Sequence, residues 1–273
     1  MLRKYRSQRS LKHNLQLAGT TATAAGMVNV ASVIAFFAFT SNVTGHMAIF
    51  SEEIVKGHWH QVIIVFLWLF AFLFGAFLSN YILLTFDKFN DYLRHALPVI
   101  LEVLVLAVIG FYGDLYYMET LRETEYLVLG LLFAMGLQNS LVATISGGAV
   151  KTTHVTGLFT DLGMEISMYL NPKFRTNKEL IDKLRLHFVI AGFYFSGGLL
   201  GGFLFLQFGF KVFYAVCIVL LVVLLYDYYK LIKYKFLRKS DTYYKNLILL
   251  KKGQKTPKEK KKLAEEIIKR RNP

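Results

Sequence analysis

Three observations in the chain predict an all-α polytopic membrane protein. Its architecture should be about six transmembrane helices in two inverted three-helix repeats, each with a Thr-Gly break and a short helix after its first span. The first observation is apolar length. The 273 residues are 55% hydrophobic with a mean hydropathy of +0.42, and six stretches approach or exceed the ~20 mainly apolar residues that cross a bilayer. These are Leu15–Phe39, Val62–Leu84, Ala96–Tyr112, Tyr126–Ile145, Leu186–Phe208 and Lys211–Tyr229. One soluble core cannot bury six such segments. The second observation is charge. Of 32 Lys and Arg, sixteen lie at or beyond Lys230, five precede the first span, and six fall between 151 and 185. Basic segments stay on the cytoplasmic side, so both termini are expected there.

The third observation is a repeat. Ala25-Gly26-Met27-Val28-Asn29 followed by Thr40-Ser41-Asn42-Val43-Thr44-Gly45 returns about 110 residues later. The second copy is Met135-Gly136-Leu137-Gln138-Asn139 followed by Thr152-Thr153-His154-Val155-Thr156-Gly157. Aligned on Thr-Gly, Glu53 falls on Glu165 and Ile54 on Ile166. Further on, Gly75-Ala76 and Ser79 fall on Gly197-Gly198 and Gly201. Three spans per copy is an odd number, so the copies must cross the bilayer in opposite senses, as in many secondary transporters.

The elements follow in order. Residues 1–14 are a basic cytoplasmic N-terminus, and the span after them is long and lacks a small-residue cleavage site, so it is read as retained. The first repeat covers 15–113. Its first span carries Ala18-Gly19-Thr20-Thr21-Ala22-Thr23-Ala24-Ala25-Gly26, a small-residue face suited to close helix packing. The second repeat covers 126–229. The short helices Met47–Val55 and Leu158–Tyr169 cannot span, and are either re-entrant or interfacial. The tail 230–273 is basic and cytoplasmic. Within it, Thr256-Pro257-Lys258-Glu259 has a helix-start pattern for 257–271, and its cations suit anionic lipid headgroups. No aromatic interleaving supports nucleic-acid binding.

Polar residues in hydrocarbon are costly, so they map the candidate site. Asn29, Gln138 and Asn139 lie inside spans, and Asn29 and Asn139 occupy equivalent repeat positions. Thr44-Gly45 and Thr156-Gly157 read as a break and a helix start, with Thr as cap and Gly allowing backbone approach. Helix N-termini there would attract an anion or carboxylate. Glu53 and Glu165, with His46 and His154 near them, are candidate proton carriers, and Glu102 is a third candidate, placed either to snorkel, to pair with Arg94 or His95, or to relay protons. The lone Cys217 rules out an intramolecular disulfide and reads as packing. His58-Trp59-His60 reads as interfacial belt. No phosphate loop, dinucleotide fingerprint or nucleophile elbow is present, and no metal or cofactor is expected.

The motifs resemble the YoaK-like family of bacterial inner-membrane proteins, a family of unknown function. Gly136-Leu137-Gln138-Asn139 and Thr153-His154-Val155-Thr156-Gly157 match its later motifs in full. The earlier ones match in part: Asn29 stands where the family has Asp, and His46 where it has Asn. The resemblance covers about residues 15–229 and implies a protein of about six helices suspected of moving small molecules. The Asn at 29 removes a carboxylate that a family mechanism could have used.

The resulting expectation is a non-enzymatic transporter of a small polar or anionic solute. Its site would lie between the repeats on Asn29, Thr44, Gly45, Gln138, Asn139, Thr156 and Gly157. Its partners would be the lipid bilayer and the solute, and a bundle this small points to a homodimer. Three rivals remain open from the sequence: a channel of the same fold, a lipid-modifying enzyme built on His46/Glu53 or His154/Glu165, and a scaffold or sensor acting through the tail.

Overall fold

The computed structural model describes residues 10–86 and 92–226, together with Tyr229. The chain divides into a compact unit, Met1–Leu225, and a second unit, Tyr226–Pro273. The basic N-terminal residues 1–9 and the tail from Lys230, including the expected helix 257–271, lie outside the described residues.

Every regular element among the described residues is helical. In chain order they are α1 (Leu11–Phe36), α2 (Val43–Lys56), α3 (Trp59–Thr85), α4 (Leu93–Leu115), α5 (Leu121–Ser146), α6 (Val155–Leu170) and α7 (Lys178–Phe208). A 3-10 turn at Gly209–Lys211 leads into α8 (212–226). Five helical stretches are long and apolar enough to cross a membrane. The fifth, Lys178–Tyr226, has 49 residues and so exceeds twice the length of one crossing. The chain reverses inside it. Phe210 packs on Phe36 and beside Gly113, at the far ends of α1 and α4. From there α8 runs back antiparallel to α4, with Phe213 at Gly110, Cys217 Sγ donating to the Val103 carbonyl (3.5 Å), and Tyr92 OH donating to the Leu224 carbonyl (3.5 Å). The expected fifth and sixth spans therefore both fall within this stretch. Large apolar side chains cover the outside of the bundle, Phe66, Phe70, Leu73 and Phe77 on α3 among them. An apolar perimeter of this extent suits hydrocarbon rather than water.

The helices overrun the expected bounds for identifiable reasons. Thr120 and Glu123 form a reciprocal capping box that starts α5 five residues before Tyr126. Asn177 accepts from the backbone N–H groups of Glu179 and Leu180, starting α7 in charged sequence. Pro98 is accommodated within α4. The short helices begin before Thr-Gly rather than after it. Asn42 is the N-cap of α2, its side chain accepting from Gly45 N (3.0 Å), and His154 holds the equivalent position before α6. The expectation that Thr44 and Thr156 cap these helices at a Thr-Gly break is thus corrected: both lie inside the first turn. The glycine after each threonine leaves room for the N-cap side chain, since a Cβ at Gly45 would meet Asn42 Nδ2 at 2.8 Å and one at Gly157 would meet the His154 ring at 2.1 Å.

Two helix pairs form the centre. The small residues of α1 let it lie directly on α7, and its threonines bond their own helix, Thr21 Oγ1 to the Leu17 carbonyl (2.7 Å) and Thr23 Oγ1 to the Gly19 carbonyl (2.8 Å). The pairing is parallel: Gly197 lies against Thr23 and Gly201 against Met27. The second pair, α3 and α5, is also parallel. Trp68 Nε1 donates to the Glu125 carbonyl (3.0 Å) near their starts, and Thr144 Oγ1 donates to Asn80 Oδ1 (3.3 Å) near their ends.

Contacts in the two pairs correspond residue by residue. A Cβ at Gly26 would lie 2.1 Å from the Tyr194 carbonyl oxygen, and one at Gly136 would lie 2.2 Å from that of Phe72. One at Gly75 would lie 2.2 Å from the Phe133 oxygen, and one at Gly197 would lie 2.4 Å from that of Thr23. Each such contact is backbone against backbone, so no rotamer change can relieve it. Gly26→Ala and Gly136→Ala should each cost about 1–3 kcal/mol through forced separation of the helices. Gly192→Ala, on α7 with nothing within 4 Å of its Cβ position, should be neutral or slightly stabilising. Thermal and SDS unfolding in detergent, followed by helical circular dichroism, distinguishes the two outcomes.

Candidate functional site

The site is built where α2 and α6 begin. After α1, Phe37 adopts a left-handed conformation (φ 53°) and turns the chain back on itself. Ser32 Oγ donates to the Ala38 carbonyl (2.9 Å), and Asn29 Oδ1 accepts from Thr40 N (3.0 Å) and Ser41 Oγ (3.1 Å). The returning segment is therefore pinned about two turns below the end of α1. α2 starts from that depth and runs beside α3, the His46 ring meeting Trp68 edge-on at 5.5 Å and Phe50 packing on Phe66. Its first residues thus reach the level of Phe72, the midpoint of α3. With 14 residues, α2 extends ~21 Å and covers only part of a bilayer. α6 is disposed likewise on α7: Val155 and Thr156 sit beside Tyr194, near the α7 midpoint, and Glu165 lies further along at His187. Both short helices begin level with the midpoints of the long helices they lie on, α3 and α7.

The two starts open on one cavity of ≈470 Å³, well within the range for small-molecule sites. Its walls pair off under the sequence alignment: Asn29 with Asn139, Ser41 with Thr153, Asn42 with His154, Val43 with Val155, Thr44 with Thr156, and Phe72 with Tyr194. Phe39 completes the lining. No Asp, Glu, Lys or Arg is among these residues. The cavity thus combines neutral amides and hydroxyls, two aromatic walls and the positive ends of two helices.

The halves differ in what is already satisfied. Around Asn29 the network is closed, because Ser41 bridges onward to the Tyr194 hydroxyl (3.2 Å) and Asn42 caps α2. Around Asn139 it is open. Asn139 Oδ1 and Thr152 Oγ1 are buried without hydrogen-bond partners, and α6 has no side-chain cap. Unmet polar groups in a low-dielectric site are what a polar ligand satisfies.

Of the expected site residues, Asn29, Thr44, Asn139 and Thr156 meet at this cavity, and so does His154. Gly45 and Gly157 sit behind it, under the N-cap side chains. Gln138 points elsewhere: at 1% exposure it donates from Nε2 to the Thr21 carbonyl (2.8 Å) and ties α5 to α1. His46 is buried beneath the cavity, donating from Nε2 to the Phe39 carbonyl (2.7 Å). Neither proposed His–Glu pair forms. Ten residues of helix carry each glutamate ~15 Å beyond the cavity, where Glu53 accepts from His58 (2.8 Å) and Glu165 from His187 (2.9 Å). Glu102 is 1% exposed, and neither carboxylate oxygen has a hydrogen-bond partner. The sequence reading passed over Phe72 and Tyr194. Their signal was position, three residues before Gly75 and Gly197 and so on the same face as the tight packing.

Asn29→Leu should strand the buried Thr40 N–H and cost about 1–3 kcal/mol. Asn139→Leu removes a carbonyl oxygen that has no partner and should be neutral or stabilising. Melting temperatures of the two variants in detergent check this, and an equal loss in both would contradict the asymmetry.

Among curated proteins and among solved structures, none matches this chain. Residues 17–226, which include most of α1, the other described helices and the cavity, match the family described as protein of unknown function (DUF1275), which includes the YoaK-like proteins, and the chain belongs to that family.

Proposed function

We propose that this protein is a carrier for a small anionic or polar solute, non-enzymatic, working by alternating access between two inverted repeats in a bacterial inner membrane with both termini cytoplasmic. The observation that carries the reading is the central cavity entered by two half-length helices N-terminus first. Such a site offers N–H groups and partial positive charge to an anion without a full cation that would hold it too tightly. The inverted arrangement is supported by the residue-for-residue correspondence of the α1–α7 and α5–α3 contacts. It is also supported by chain direction: α1 and α7 run one way, with α4 ending on the same side, and α8 runs back. Phe39, Phe72 and the Tyr194 ring favour a solute with an apolar body beside its charge. A homodimer in the bilayer and contact of the basic tail with anionic lipid belong to the same proposal. The lipid-enzyme alternative loses its two candidate catalytic pairs, because each glutamate is bonded to a different histidine, well away from the cavity.

Purified protein in vesicles should take up at least one member of a labelled panel of chloride, sulfate, acetate and benzoate, with saturation. Asn139→Leu should reduce that uptake by about tenfold or more, as expected for a lost buried hydrogen bond to solute of ~1.4 kcal/mol or above. Uptake that never saturates favours a channel. Absence of both uptake and thermal stabilisation across the panel would refute the anion reading.

A further inference from the structure

We propose that the second half of the protein carries a proton relay. In it, His154 passes protons between the central cavity and a small polar vestibule formed by Lys151, Asp161 and His187, backed by Glu165. The proposal deepens the carrier reading, since it concerns the same cavity and supplies its coupling.

His154 is the wall between two spaces. It lines the central cavity and also a second cavity of ≈60 Å³ bounded by Lys151, Asp161 and His187. That space is large enough to admit water, with enough polar partners to keep it. His187 Nδ1–H donates to Glu165 Oε2 (2.9 Å), and their side chains are only 16% and 11% exposed. The order from cavity inward is thus an imidazole, a water-sized space with a carboxylate and a second imidazole, and a second carboxylate. A neutral imidazole accepts a proton on one ring nitrogen and releases one from the other, so no net charge need remain on His154 after each transfer.

The helix supplies the alignment. His154, the N-cap of α6, is followed at seven and eleven residues by Asp161 and Glu165, which places the three along one side of the helix; Glu165 is buried against His187 of α7, and His154 and Asp161 are exposed. The charged groups around this string are few. From the preceding loop there is Lys151; from α7 there is His187, while Lys183 and Arg185 are engaged by Glu179 and Asp182 on its outer side. On the central-cavity side His154 faces only neutral groups, those of Asn42, Thr44, Asn139, Thr153 and Thr156 among them.

The first half has no such string. At the aligned positions it carries Asn42 for His154, Ile49 for Asp161, Val65 for His187 and Phe39 for Lys151. Only Glu53 matches Glu165, and its partner His58 is exposed. Two halves that agree in packing and in cavity walls therefore differ where proton carriers are concerned, which assigns proton exchange to the α6 side alone.

The test is proton flux, measured both with and without a gradient of the panel anions. Vesicles holding the full-length protein and a trapped pH-sensitive dye are given a potassium diffusion potential with valinomycin, and internal acidification is followed. Wild-type vesicles should acidify faster than protein-free vesicles. His154→Gln and Asp161→Asn should each slow the excess rate by about tenfold or more, as expected for loss of a positioned proton carrier. His60→Gln, which alters an exposed histidine at the start of α3, should leave it unchanged. A wild-type rate equal to that of empty vesicles under both conditions, or an unchanged rate in both His154→Gln and Asp161→Asn, overturns the relay. Anion uptake without protein-dependent proton flux overturns the relay alone; proton flux without anion uptake overturns the anion reading alone.

Discussion

Backbone contact at Gly26 and Gly136 is the constraint on which the rest of this molecule depends. At each, the carbonyl of an aromatic residue on the neighbouring helix occupies the volume of a missing side chain. Those aromatics, Tyr194 and Phe72, then line the central cavity with their rings. One turn past each glycine stands an asparagine, Asn29 or Asn139, on the other wall. The glycine contact therefore sets how far apart the walls stand and which residues face each other. Hydrocarbon around the bundle contributes no hydrophobic drive to helix association, so close packing of this kind is what holds such helices together.

The half-length helices follow from a second requirement. A chain that ends a span and turns back into the layer carries unpaired backbone groups, which must be satisfied by protein. Asn29 and Ser32 do this after α1 by holding Thr40 N–H and the Ala38 carbonyl. After α5 the corresponding task falls partly to Ser146, which accepts from Val150 N (3.0 Å). Asn139 is left with its carbonyl oxygen unengaged. One asparagine thus serves as a structural clasp while its counterpart holds no loop.

Much of the frame was legible in the chain. Apolar length revealed the spans, and the recurrence of Gly/Asn and Thr-Gly in one order marked Asn29, Thr44, Asn139 and Thr156, which do share a cavity. Local chemistry misled at the helix starts, because a threonine beside a glycine is a good cap in isolation. Asn42 and His154 took the N-cap positions instead, and the glycines serve to make room for their side chains. Pairing of titratable groups was misread for a similar reason. Sequence proximity linked His46 with Glu53 and His154 with Glu165, but a helix carries residues seven or eleven apart ~10–16 Å along its axis. The partners came from elsewhere, His58 across the next turn and His187 from α7.

The sequence by itself determined that this is a membrane-type helical protein, and where its small, polar and apolar residues recur, because burial in hydrocarbon imposes length and composition on every crossing segment. It also displayed two sets of short motifs, Gly/Asn and Thr-Gly, recurring in one order. Only the tertiary structure decided that α1 pairs with α7 and α5 with α3, since contact between helices far apart in the chain depends on backbone approach that periodicity does not encode. That pairing brings the starts of α2 and α6 to one cavity. It also separates Asn29, held by its own loop, from Asn139, whose oxygen is left without a donor, a difference that two identical residues in matching motifs could not reveal.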